Sequence, residues 1–214
     1  MRAVLILITF GIIFISECCE SSPDKIKRDD TISEKEAIKK ALQEDLAPSS
    51  DIKQFNWFYS AFAHAATTGN DTIFDVVIHP EYGLWIIHSA GAVPNFTRIN
   101  HILEFKMPDG KSLIPFQRDA MMRVPKEETL PVLVCEDDKI YNKSGCFTSL
   151  QNTFAEQKTW KYAGLDAEKD RVIEESAKTI TRTVINTENY RFYFSLIKGS
   201  WYLTFLDIMT PCEA

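Results

Sequence analysis

Three side chains of this sequence could move a proton in an apolar setting: Asp75, His88 and Asp207. General acid/base chemistry needs such a group, tuned by burial, inside a largely apolar pocket. His88 closes an apolar run just before Ser89-Ala90-Gly91, Asp207 follows Phe205-Leu206, and Asp75 sits in a short segment after Asn70-Asp71. Each has a structural alternative: a hydrogen-bonded histidine, or an aspartate at an exposed strand end. Of the other histidines, His64 and His101 stand in no recognised ligand pattern, and His79, ahead of Pro80, is placed to hold a turn by hydrogen bonding. No His-Glu-x-x-His, nucleophile-elbow or phosphate-loop motif occurs, so nothing calls for a metal or a cofactor.

Cysteine chemistry is the second possibility. Cys135 and Cys146 flank ten residues that include Glu136-Asp137-Asp138 and Asn142-Lys143-Ser144-Gly145. These turn residues let the chain double back, and a bridge there would contribute about 2–3 kcal/mol by loop-closure entropy. Two free thiols, or a pairing of either with Cys212, are the alternatives. The acidic loop lacks the ligand spacing of a calcium site and reads as a solvated turn. Asn70-Asp71-Thr72, Asn95-Phe96-Thr97 and Asn142-Lys143-Ser144 are glycosylation acceptors only in a eukaryotic host. Trp85, Tyr193 and Trp201 are candidates to line a ligand pocket, although core packing accounts for most of the aromatic content.

The elements that must carry these residues follow from periodicity. Ser33 and Glu36 form a capping box for a helix to about Leu46, with Ala37, Ile38, Ala41 and Leu42 on its apolar face. A broader stripe, Ile52, Phe55, Phe58, Tyr59, Phe62, Ala63 and Ala66, predicts a helix over 51–67 that stops at Gly69-Asn70. Residues 71–78 fit a helix or a strand, His79–Gly83 is a turn, and Leu84–His88 reads as a strand. Residues 96–118 hold a turn at Pro108-Asp109-Gly110 and an expected strand at 113–116. Three β-rich runs close the chain, 177–187, 190–197 and 200–208, with Lys198-Gly199 as a two-residue hairpin turn. Phe192, Phe194 and Leu196 alternate with Arg191, Tyr193 and Ser195, while Trp201, Leu203 and Phe205 alternate with Tyr202, Thr204 and Leu206. Both faces are largely apolar, so something must pack on each side.

The N-terminus specifies a destination. Arg2 precedes an apolar run from Ala3 to Ile15, then Ser16-Glu17-Cys18-Cys19. That run is shorter than the roughly 20 residues of a membrane span and has the form of an export signal. Residues 1–18 are therefore read as signal, 19–31 as a polar, charged tether and 32–214 as one domain, a length suited to a single unit. The Cys18-Cys19 pair resembles the processing site of bacterial lipoproteins, with Ile15 and Ser16 in the expected places and Glu17 where that family carries a small residue. The resemblance implies lipid attachment at Cys18 or Cys19. Ordinary signal cleavage after Cys18 is the alternative, giving a secreted soluble protein.

Early helices followed by an antiparallel meander predict an α+β fold. The aromatic helix, the His79-Pro80-Glu81-Tyr82-Gly83 turn and the Tyr190–Ile208 hairpin resemble the nuclear-transport-factor-two-like cone, a curved sheet wrapped around N-terminal helices. In that layout 121–175 is a large insertion. Related cones include binding modules, isomerases and dehydratases. The expectation is a cell-envelope lipoprotein with a non-catalytic binding or scaffolding role, for a small apolar ligand or an envelope protein. The alternative is a secreted cone enzyme performing acid/base chemistry on a small apolar substrate. A formal charge of −6 without a Lys/Arg cluster argues against nucleic acid.

Overall fold

The computed structural model describes residues 52–89, 91, 93–136 and 139–212. The signal, the tether and the helix expected from Ser33, with Cys18 and Cys19, lie outside the described residues. The described chain is α+β: α1 (Ile52–Thr68), α2 (Asp71–Phe74), β1 (Leu84–His88), β2 (Asn95–Ile99), α3 (Arg118–Met121), β3 (Lys126–Glu127), β4 (Leu133–Glu136), β5 (Lys139–Tyr141), β6 (Cys146–Ser149), α4 (Thr153–Gln157), α5 (Ala167–Lys178), β7 (Ile180–Asn186), β8 (Tyr190–Ile197) and β9 (Ser200–Asp207). An open seven-stranded sheet runs β2-β1-β9-β8-β7-β6-β3, and β4 and β5 form a separate two-stranded ribbon. The sheet is antiparallel except where β1 lies parallel to β9 and β3 parallel to β6.

Helix α1 contains no glycine or proline, and Gly69 ends it with φ +69°, the left-handed backbone that favours glycine. Asn70 then caps α2, its side-chain oxygen accepting the Ile73 N–H at 3.0 Å. The aromatic stripe of α1 covers one face of the sheet. Phe194 meets the rings of Phe55, Phe58, Tyr59 and Phe62 at centroid distances of 5.3, 5.7, 6.2 and 5.5 Å, all near edge-on.

The opposite face is covered by α4, the 3-10 turn Thr159–Tyr162 and α5. Here Phe154 is the hub, within 6.2 Å of Phe96, 4.9 Å of Trp160, 5.2 Å of Tyr193 and 4.4 Å of Phe205. Asn152 locks this layer: Oδ1 accepts the Ala155 N–H at 3.0 Å, while Nδ2 donates to the Ala177 carbonyl at 2.8 Å. Residues 121–175, expected as an insertion, therefore supply β3 and β6 to the sheet and most of the second layer, which α5 completes at Lys178.

Of the two readings of 71–78, the helix holds for 71–77: Asn70 caps it and Asp75 continues it as a 3-10 turn. Several other local expectations are corrected. Residues 113–116 form no strand; the Phe116 N–H instead donates to the Ala66 carbonyl at the end of α1, at 2.9 Å. Ala177 and Lys178 belong to α5, since Ala177 packs into the second core. A bulge between the Tyr193–Phe205 and Phe194–Leu203 pairs shifts β9 by one residue against β8. It turns Phe205 to the face opposite Leu203, contrary to simple alternation. The turn before β1 is as expected: His79 Nδ1 accepts the N–H groups of Glu81 and Tyr82 at 3.1 and 3.2 Å. Gly83 closes it with φ +68°, where a Cβ would meet the Ile99 carbonyl oxygen at 2.7 Å.

The disulfide joins Cys135 to Cys212, not Cys135 to Cys146. The chain does double back after Cys135, pairing Leu133 with Tyr141, but by Cys146 it has entered the main sheet. Cys146 is buried on the α1 face with its Sγ 3.7 Å from the Tyr59 hydroxyl, whereas Cys135 stays on the exposed ribbon. The bridge spans 77 positions and ties the ribbon to the end of the chain.

Replacing both Cys135 and Cys212 with Ser should cost about 2–4 kcal/mol in denaturant unfolding, the usual range for a bridge of this kind. Cys146→Ser should keep the bridge. Non-reducing peptide mapping should recover a Cys135–Cys212 linked peptide; a Cys135–Cys146 peptide would contradict the assignment.

Candidate functional site

The structure does not bring the three proton-transfer candidates together. His88 ends β1 on the α1 face, with its Nε2 3.0 Å from Thr97 Oγ1 and its ring edge-on to Phe105 at 5.1 Å. Burial without a charged partner lowers its pKa, so the neutral ring is favoured. Asp75 holds the start of the 3-10 turn Ile102–Glu104. Its Oδ1 accepts the Ile102 N–H at 2.8 Å, and Oδ2 lies 3.0 Å from His101 Nδ1.

Asp207 lies on the opposite face. Its Oδ2 accepts from Arg191 Nε at 2.8 Å and its Oδ1 from the Met209 N–H at 3.0 Å. Arg191 also donates from Nη2 to the Met209 carbonyl at 3.0 Å and from Nη1 to the Tyr141 hydroxyl at 3.3 Å. Both charged side chains are only 13% exposed. Burial works against the Arg191 charge, but Asp207 outweighs it and holds the guanidinium above its ordinary pKa. The nearby Tyr193 phenol is pushed well up, first by burial and then by the Asp207 charge. This cluster joins β8, β9, the ribbon and the chain end. It is an internal clamp, close in space to the segments that Cys135–Cys212 ties covalently.

The aromatic pocket candidates are likewise core residues. Trp85 and Tyr193 belong to the second core, and Trp201 packs between Phe55 and Phe58 in the first. Cys146 carries a thiol raised to about 11 by burial, so it stays protonated at neutral pH. Among the described residues, no cluster of His, Cys, Asp or Glu could hold a metal ion.

A cavity of about 350 Å³ opens elsewhere, at the end of the α1-covered layer. Met107, Leu113, Pro115, Phe116 and Ile208 give it apolar walls, and Gln117, Glu188, Asn189 and Tyr190 add polar groups. Its parts are fixed locally. Gly110 N–H donates to the Met107 carbonyl at 2.8 Å, making the expected Pro108-Asp109-Gly110 turn. Phe116 is anchored to the end of α1 and stands 5.0 Å from the Tyr190 ring. Glu188 follows the β7 end, its N–H donating to Asn186 Oδ1 at 3.1 Å, and its carboxylate reaches Arg123 at 3.3 Å. None of Asp75, His88, Asp207, Trp85, Tyr193 or Trp201 lines this space. Its walls come from loops that carry no motif, and the only sequence signal was the density of turn residues over 108–115 and 187–189.

Asp207→Asn should destabilise the protein by about 3–5 kcal/mol, because it leaves a buried guanidinium without its counter-charge. Replacing the pair together, Arg191→Met with Asp207→Leu, should cost clearly less. Urea unfolding of both variants checks this; a wild-type stability for Asp207→Asn alone would show that the pair is no clamp.

No protein-family model matches this chain, and no curated protein or solved structure compared with it is similar to it.

Proposed function

We propose that this chain is an exported cell-envelope lipoprotein whose domain binds a small, mainly apolar ligand without converting it. The observation that carries the proposal is the cavity between the 107–117 loop and Tyr190, lined by apolar residues together with a few polar ones. Ligand pockets have this make-up, although this one is at the small end of the usual size range. The acid/base candidates support binding over catalysis because each is already engaged: Asp75 with Ile102 and His101, His88 with Thr97, Asp207 with Arg191 and Met209. The Cys135–Cys212 bridge supports an oxidising compartment, in keeping with the export signal. Lipid on Cys18 or Cys19 would hold the protein at a membrane surface through its acyl chains, without a spanning helix. In the same proposal the sheet belongs to the cone-like type, curved around α1.

Intact-mass analysis of the membrane fraction should find a mature N-terminus at Cys18 or Cys19 carrying a diacylglyceryl group; an unmodified terminus would remove the anchor. Calorimetry of the mature protein with 1-hexanol should detect binding that Met107→Trp weakens by about tenfold, since the larger ring fills the space its ligand would occupy. Equal binding by both proteins, or none by either, would contradict a ligand site here.

A further inference from the structure

The cavity has a charge character that narrows its ligand. Glu188 is the ionisable carboxylate among the lining residues, and no Lys, Arg or His lines the space. Its partner Arg123 is outside the lining set, at 3.3 Å, and the two side chains are 44% and 45% exposed. Exposed ion pairs of this kind are weak, so a ligand cation can share the Glu188 carboxylate with little loss. Two aromatic residues, Phe116 and Tyr190, line the same space, with ring centroids 5.0 Å apart. Aromatic faces attract ammonium groups through their quadrupole, and neither ring attracts an anion in the same way. Gln117 and Asn189 add neutral polar groups to the lining, while Met107, Leu113 and Ile208 are apolar.

We infer that the cavity takes an amine: a small molecule with an apolar body against Met107, Leu113 and Ile208 and an ammonium group between Glu188 and the Phe116–Tyr190 walls. This inference rests on the binding reading proposed above and adds the chemical class of the ligand. A carboxylate of the same size is selected against, since it would bring a second negative charge beside Glu188 in a space that no Lys, Arg or His lines.

Hexylamine, 1-hexanol and hexanoate share one apolar body and differ in the head group, so they separate the two questions. Titration of the mature protein should give hexylamine about tenfold tighter than 1-hexanol, with hexanoate weakest. In Glu188→Gln, an exposed substitution that leaves the fold intact, the amine should fall to within about twofold of the alcohol. Tyr190→Leu should weaken hexylamine more than 1-hexanol. If 1-hexanol binds and hexylamine is no tighter, or if the amine preference survives Glu188→Gln, the amine assignment is overturned while the cavity stands. Tightest binding by hexanoate would overturn it as well. If none of the three binds, the cavity reading falls and this inference falls with it.

Discussion

The structure depends on one constraint, the two-sided burial of β8. Tyr193 and Phe194 are neighbours in sequence and point to opposite faces, and both are buried. Water must therefore be excluded from both sides of the same strand. On one side α1 does this with four aromatic rings around Phe194; on the other, Phe154 joins Tyr193 to Phe205. Aromatic pairs of this geometry add about 0.5–1.5 kcal/mol each beyond their buried area. The two helical layers are what the apolar alternation of the central strands requires.

The two faces end differently, and the proposed ligand site follows from that difference. On the second face the edge of the core is closed by Arg191 and Asp207, backed by Tyr141 and the Met209 main chain, and then by the Cys135–Cys212 bridge. On the first face, among the described residues, the 107–117 loop packs at the end of the layer and a cavity lies between it and Tyr190. Charge is used for closure on one side, and apolar walls with a single carboxylate remain accessible on the other.

Much of the architecture was legible in the sequence. The stripe from Ile52 to Ala66 defined α1, Lys198-Gly199 located the last hairpin, and apolar residues on both of its faces required the two-sided cover that is found. The role of Asp207 was not legible. Counting back from Lys198-Gly199 puts Arg191 opposite Leu206, and only the bulge in β9 brings Asp207 into that position. The bridge was misread because pairing depends on which face Cys146 occupies, which is set by its register with Asn186 and not by its distance from Cys135 along the chain. The cavity was missed because loops far apart in sequence build it, and periodicity carries no information about loops.

The central claim is that ligand enters beside Tyr190 and not at the histidine or aspartate candidates. Titrating the isotope-labelled mature protein with 1-hexanol and following its amide and methyl NMR signals tests this most directly. The largest shifts are expected at Met107, Leu113, Phe116, Gln117, Asn189 and Tyr190, with His88, Thr97, His101 and Trp85 little changed. Shifts concentrated at His88 and Thr97, or around Trp85 and Tyr193, would contradict the account.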